Sequence, residues 1–133
     1  MIQIPVSVGE LLDKLSILTI KSFKILDKEK ARKVRHELHI ISALSVPYMG
    51  DPITEDLYTD LLAINISLWE TEDQLRKFEK EELFNKEFIE FARLVYKTND
   101  QRFDIKNKIN QIYESDIQEV KQYTNYDNGS KKG

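Results

Sequence analysis

The part of the sequence best suited to chemistry is a set of charged and amide side chains on and near one predicted helix face. Arg102, Lys106 and Asn110 follow one another at steps of four residues, so on a helix they share one face. Cationic groups on such a face bind small anions in some proteins and pair with carboxylates of a neighbouring helix in others. The candidate ligand-binding residues of this polar face are Glu72, Arg93, Lys97, Asn99, Asp100, Arg102, Lys106 and Asn110.

Two interpretations of this polar face remain open at the level of sequence. In the first, its cations line a pocket for a small anionic metabolite. In the second, Arg102 or Lys106 pairs with Glu72 or Asp73, and the buried ion pair fixes the register of the helices. Glu72 is the expected partner of Arg102 because it falls inside an apolar stripe, between Leu68 and Leu75.

Paired carboxylates offer a different chemistry. The pairs are Glu70 with Asp73, and Glu87 with Glu90. The two members of each pair are three residues apart and so share one helix face. Two such pairs that face each other can hold Mg²⁺. Paired carboxylates are typical of all-α nucleotide pyrophosphohydrolases, although the order of the pairs here is opposite to that family's motif. We therefore expect no cofactor, with Mg²⁺ as the alternative. His36 and His39 lie three residues apart and do not match a zinc-protease motif.

The elements that must position these residues begin with a clear helix start. Ser7 is a typical N-cap, and Glu10 follows at the position of the reciprocal capping residue. From position 11 to position 26 the pattern is apolar around most of the helix, which predicts cover on two sides, by the bundle and by a second copy. The remaining polar strip contains Asp13, Lys14, Lys21 and Lys24.

Three more helix starts follow along the chain. Asp27 is the predicted cap of a second helix, and Asn85 is the predicted cap of the fourth. Asp51 with Pro52 marks the start of the third, with Thr54 as a second candidate cap. On the fourth helix, Phe88, Phe91, Ala92 and Val95 are predicted to form a buried face. That helix either continues to about position 122 or is interrupted at positions 98–100. The predicted fold is all-α, an antiparallel bundle of about four helices preceded by a short extended arm.

Composition limits the function classes. The 133 residues include 20 basic and 23 acidic side chains, a net charge of −3, without a basic stripe for nucleic acid. There is no cysteine, no apolar run long enough to span a membrane and no signal-peptide pattern at the start. We therefore expect a cytoplasmic protein with one domain, residues 1–124, and a disordered tail, residues 125–133.

Several segments together resemble a family of short helical bacterial and phage proteins of unknown function. The matching segments are PVSVGELLDKLSIL with Ile20 and Lys21, LWETED with Arg76, ARLVYKTNDQR, and IKNKIN. The resemblance implies a location near glycosyltransferase or surface-polysaccharide genes and names no activity. The family pattern falls on Glu10, Asp13, Lys14, Lys21, Trp69, Glu70, Asp73, Arg76, Arg93, Tyr96, Thr98, Asn99, Asp100, Arg102, Lys106 and Asn110.

The predicted function is that of a small cytoplasmic interaction or accessory module, homodimeric and linked to surface-glycan synthesis. A protein partner is expected, whereas nucleic acid is not. The alternative is a Mg²⁺-dependent all-α nucleotide hydrolase or a small-anion-binding protein that uses the polar face.

Overall fold

The computed structural model describes residues 1–115, 117 and 119–126. Its helices are α1 (Val8–Lys24), α2 (Lys28–Ser45), α3 (Pro52–Lys80) and α4 (Lys86–Ile112), with one 3₁₀ turn at Val46–Tyr48. No strand occurs among the described residues, which confirms the predicted all-α bundle of four helices. The division into a domain of residues 1–124 and a tail of residues 125–133 stays a prediction, and residues 127–133 lie outside the described part of the chain.

Each α-helix begins at the residue that the sequence predicted. In all four cases the side chain of the N-cap accepts a hydrogen bond from the backbone N–H three residues later, which satisfies one of the free donors of the first turn. The four N-caps are Ser7, Asp27, Asp51 and Asn85. The capping box also predicts that the Glu10 side chain accepts a hydrogen bond from the Ser7 N–H. In the structure the Glu10 carboxylate pairs with Lys106 instead.

The end of α4 differs from both predicted alternatives. The helix is continuous through positions 98–100 and stops at Ile112, ten residues before the expected end near position 122. It stops because Glu114 has a φ of 48°, and the N–H groups of Glu114 and Ser115 turn back to the carbonyls of Gln111 and Asn110. This is a Schellman motif, which usually contains glycine at the position of Glu114.

Helices α3 and α4 form the long axis of the molecule. They are 29 and 27 residues long and run antiparallel, joined by the loop of residues 81–85. The Thr54 hydroxyl lies 2.9 Å from the Tyr113 hydroxyl at one end, and the ring of Phe78 contacts that of Phe88 near the other. We call residues 69–97, which include the loop, the hairpin end.

Helix α1 packs against the other three helices. The core cluster joins Leu12 and Leu15 of α1 to Leu61 of α3 and to Ile105 and Ile109 of α4. Leu12, Leu15, Leu18 and Ile20 of α1 are therefore buried within one chain, whereas Phe23 near the end of the helix is 56% exposed. The second copy that the sequence suggested stays a prediction. Helix α2 packs mainly on α1, and Ser45 is its only buried residue.

The predicted buried face at the start of α4 is incomplete. Phe88, Phe91, Ala92 and Val95 are half-buried, and no residue at positions 86–97, all of which the structure describes, is buried. The rings of Phe88 and Phe91 both contact the ring of Phe78 of α3, which is buried. The apolar stripe exists as predicted, but the described part of the chain does not cover it.

Candidate functional site

The polar cluster is centred on Asp13, which is 1% exposed although it was predicted to lie on the polar strip of the first helix. Its Oδ1 accepts hydrogen bonds from Asn65 Nδ2 at 3.0 Å and from Arg102 Nε at 2.8 Å. Its Oδ2 accepts from Arg102 Nη2 at 2.6 Å. A carboxylate loses its hydration when buried, and these charge-assisted bonds replace it. Asp13 thus connects α1 with both helices of the hairpin.

Lys106 forms the second layer of the cluster, one helical step after Arg102. Its side chain is 7% exposed, and Nζ lies 2.7 Å from Glu10 Oε2 and 3.2 Å from Glu119 Oε1. The same ammonium is 3.9 Å from Asp13 Oδ2. Three carboxylates from two parts of the chain therefore surround one buried ammonium.

Both cations remain charged in this environment. Hydrogen bonding to Asp13 raises the pKa of Arg102 above its ordinary value. Burial alone would lower the pKa of Lys106, but the hydrogen bond to Glu10 and the negative charge of Asp13 outweigh burial, so this pKa is also raised. The cluster is accordingly a set of ion pairs and contains no neutral lysine that could act as a base.

A close approach of α1 to α4 makes this cluster possible. The Gly9 N–H donates a 2.7 Å hydrogen bond to Oδ1 of Asn110, which is buried. A Cβ atom at Gly9 would lie 2.5 Å from the carbonyl oxygen of Lys106, so only glycine fits here without movement. The backbone N–H groups of Val8 and Glu10 are also bonded, to the hydroxyls of Ser115 and Ser7. We call Gly9, Asp13, Asn65, Arg102, Lys106 and Asn110 the junction.

A small polar cavity lies outside the junction, with a volume of about 220 Å³. Its walls include Glu10 of α1, Asn99 and Arg102 of α4, and Glu119 and Lys121 from the segment that follows α4. That segment runs back along α4. The Lys121 ammonium lies 5.2 Å from the centre of the Phe103 ring, and the Tyr126 hydroxyl donates to Asp100 Oδ2 at 2.6 Å.

The structure separates the candidate ligand-binding residues into three places. Asn99, Arg102, Lys106 and Asn110 come together at the junction and its cavity. Glu72 and Arg93 are exposed at the hairpin end, Lys97 is half-buried there, and Asp100 lies on the neighbouring face with Tyr126. The predicted pairing of Arg102 with Glu72 is wrong, because the Arg102 guanidinium pairs with Asp13 and Glu72 is exposed.

The paired carboxylates do not form a metal centre. Glu70, Asp73, Glu87 and Glu90 are all exposed, and Asp73 pairs with Lys77 at 3.4 Å. Among the described residues no group of three or more His, Asp or Glu side chains lies close enough together to hold a metal ion. The geometry therefore gives no support to the Mg²⁺-dependent hydrolase alternative.

Sequence reasoning missed the roles of Asp13, Ser16 and Asn65. Asn65 Nδ2 donates to Asp13 and also to the Ser16 hydroxyl at 2.7 Å, and all three side chains are buried. One signal was available: Asp13 is the only acidic residue between Glu10 and Lys24, in a helix that is mostly apolar. Its partner Arg102 is 89 positions away, which helix periodicity alone does not connect.

The fold and the junction define a class of small all-α bundles in which a buried ion pair ties one short helix to a long helical hairpin. The chain belongs to a family of unknown function (DUF6165), whose model matches residues 2–130. Comparisons with curated proteins and with solved structures gave no match. None of the described helices combines the length and the apolar character needed to cross a membrane.

Proposed function

We propose that this protein is a small cytoplasmic interaction module that associates with a second copy of itself through the hairpin end. The observation that carries the proposal is the half-exposed stripe of Phe88, Phe91, Ala92 and Val95. A two-helix hairpin cannot bury such a stripe by itself, whereas two hairpins packed face to face make a four-helix bundle with a closed core. Phe84, Ile89 and Leu94 of the hairpin end are also exposed, so this end of the molecule carries further uncovered apolar side chains.

The charges of the hairpin end are suited to pairing with a copy of itself. The register set by the Phe78–Phe88 contact puts Asp73 of α3 level with Arg93 of α4, and Glu70 level with Lys97. A two-fold dimer brings the same patch of both copies together. Glu70 and Asp73 of one copy can then meet Lys97 and Arg93 of the other, and attraction between these charges supports the proposed association.

Leu94→Glu tests the proposal because it places a charge beside the stripe on a side chain that is already 39% exposed. The matched control is Leu26→Glu, at a leucine that is 90% exposed and lies outside the hairpin end. Sedimentation equilibrium, with crosslinking and native mass spectrometry at micromolar concentration, should find dimers for the wild type and for Leu26→Glu. Leu94→Glu should be monomeric with unchanged circular dichroism.

Two results would contradict the dimer. The wild type could be monomeric at every concentration, or both glutamate variants could dissociate equally, which would indicate a general effect of charge. An accessory role beside enzymes of surface-glycan synthesis, suggested by the gene location that the family resemblance implies, is part of the same proposal. In that role the dimer presents two equivalent surfaces to a partner enzyme, and co-purification of such an enzyme with the wild type but not with Leu94→Glu tests it.

A further inference from the structure

The cavity beside the junction has the composition of an anion-binding site. Arg102 and Lys106 both reach Asp13 Oδ2, at 2.6 and 3.9 Å, so their charged nitrogens are close enough to share one oxyanion. Among the described residues, Arg102 Nη1 has a single long hydrogen bond, 3.4 Å, to Asn99 Oδ1 and retains donor capacity. Lys106 is nearly enclosed, and its ammonium faces Glu119.

Glu119 differs from the other carboxylates around Lys106. Asp13 and Glu10 are carried by α1, whose position is fixed by the core and by Gly9. Glu119 comes from the segment after α4, outside any helix, and its two oxygens lie 3.2 and 3.5 Å from Nζ. Its carboxylate is held by longer contacts than the 2.7 Å contact of Glu10. Of the three, Glu119 is the one whose backbone is not held in a helix.

We propose that Arg102 and Lys106 form a binding site for a small oxyanion, a carboxylate or phosphoryl group, and that Glu119 fills this site as an internal ligand. When Glu119 is displaced, the three cations Arg102, Lys106 and Lys121 face two carboxylates, Asp13 and Glu10. This leaves one net positive charge, which an anion can neutralise. A cavity of about 220 Å³ is smaller than the usual range for drug-sized ligands and suits inorganic phosphate or a short dicarboxylate.

Glu119→Gln is the variant that opens the proposed site, because it keeps the shape of the side chain and removes its charge. Glu114→Gln is the matched control: it makes the same change on an exposed residue just after α4. Titration of each protein with inorganic phosphate and with malonate, by calorimetry at constant ionic strength, compares the two oxyanion chemistries. If Glu119 occupies the site most of the time, its removal should tighten the apparent Kd about tenfold or more.

The proposal predicts that Glu119→Gln binds phosphate, malonate or both more tightly, while Glu114→Gln binds like the wild type. Lys106→Met in the Glu119→Gln background should abolish the gain in affinity. If that variant fails to fold, Lys121→Gln in the same background takes its place and should weaken the gain. Binding of phosphate alone or of malonate alone identifies the ligand chemistry. No gain in Glu119→Gln, or an equal gain in Glu114→Gln, would overturn the proposal.

Discussion

The two ends of the α3–α4 hairpin treat polar and apolar side chains in opposite ways. At the junction, Asp13 and Asn65 are buried because each has partners at hydrogen-bond distance. At the hairpin end, Phe84 and Ile89 are exposed because the described part of the chain provides nothing to cover them. The comparison teaches that a charged side chain can be buried in this small protein where partners replace its hydration, and that apolar side chains stay exposed where no neighbouring element packs on them.

The two ends of the hairpin therefore differ in what they contribute to the protein. A buried ion pair contributes little net stability, since the cost of desolvation offsets most of the attraction, but it excludes other registers of the helices. The junction therefore specifies how α1 sits on the hairpin. The hairpin end has no such polar constraint, and its apolar surface is available for association with another chain.

The largest predicted effect breaks the junction. Arg102→Met leaves the Asp13 carboxylate buried without its main partner and should lower the free energy of unfolding by about 3–5 kcal/mol, measured by urea denaturation. Arg35→Met makes the same change on an exposed arginine of α2, outside both the junction and the hairpin end, and its effect should stay within about 0.5 kcal/mol.

A double variant sharpens this test. Asp13→Leu combined with Arg102→Met removes both charges, and it should recover much of the stability lost in each single variant, because neither charge is then left unpaired. Equal losses for Arg102→Met and Arg35→Met, or additive losses in the double variant, would show that the pair does not hold the junction together.

A smaller effect is expected where α1 approaches α4. Gly9→Ala should lower stability by about 1–3 kcal/mol, because its new methyl group would overlap the carbonyl oxygen of Lys106. The loss would occur although alanine is the better helix former by about 1 kcal/mol. Gly50→Ala is the control, since nothing lies within 4 Å of a Cβ there. Thermal melts in which the two variants behave alike would mean that α1 and α4 lie further apart than described.

The smallest predicted effect is stabilising and involves both ends of the hairpin. Glu82 and Glu114 end α3 and α4 with φ values of 54° and 48°, a backbone region that favours glycine. Glu82→Gly and Glu114→Gly should each raise the free energy of unfolding by about 0.5–1 kcal/mol, since the relief of strain exceeds the entropic cost of glycine. Glu81→Gly, at a helical φ, should be destabilising in the same denaturation assay. If Glu82→Gly and Glu114→Gly both lower the free energy of unfolding, the positive φ values at these two helix ends would be contradicted.

Helix starts could be predicted from sequence because their signals are local. Asp51 followed by Pro52, for example, contains the whole capping interaction within four residues. Helix ends could not, because α4 stops at a Schellman motif with Glu114 where the usual signal is glycine. Asn99 and Asp100 suggested a break in the helix, but their side chains are used by Arg102 and Tyr126, which leaves the helical backbone intact.

The site was predictable in part. The four-residue steps correctly grouped Arg102, Lys106 and Asn110, since side chains on one helix face meet the same neighbour. The identity of that neighbour was not predictable, because Glu72 and Asp13 both interrupt apolar patterns and spacing within a helix does not rank them. The contact that decides between them depends on Gly9, which brings α1 against α4.

The most direct test of the account is hydrogen exchange of the backbone at two protein concentrations, followed by mass spectrometry. The central claim is that the junction is closed within one chain, whereas the hairpin end is closed only by a second copy. In dilute protein, amides of residues 86–97 should exchange faster than those of residues 105–112, and raising the concentration should slow only the first group, on the order of tenfold. Exchange that is independent of concentration in both segments, or faster at the junction than at the hairpin end, would contradict the claim.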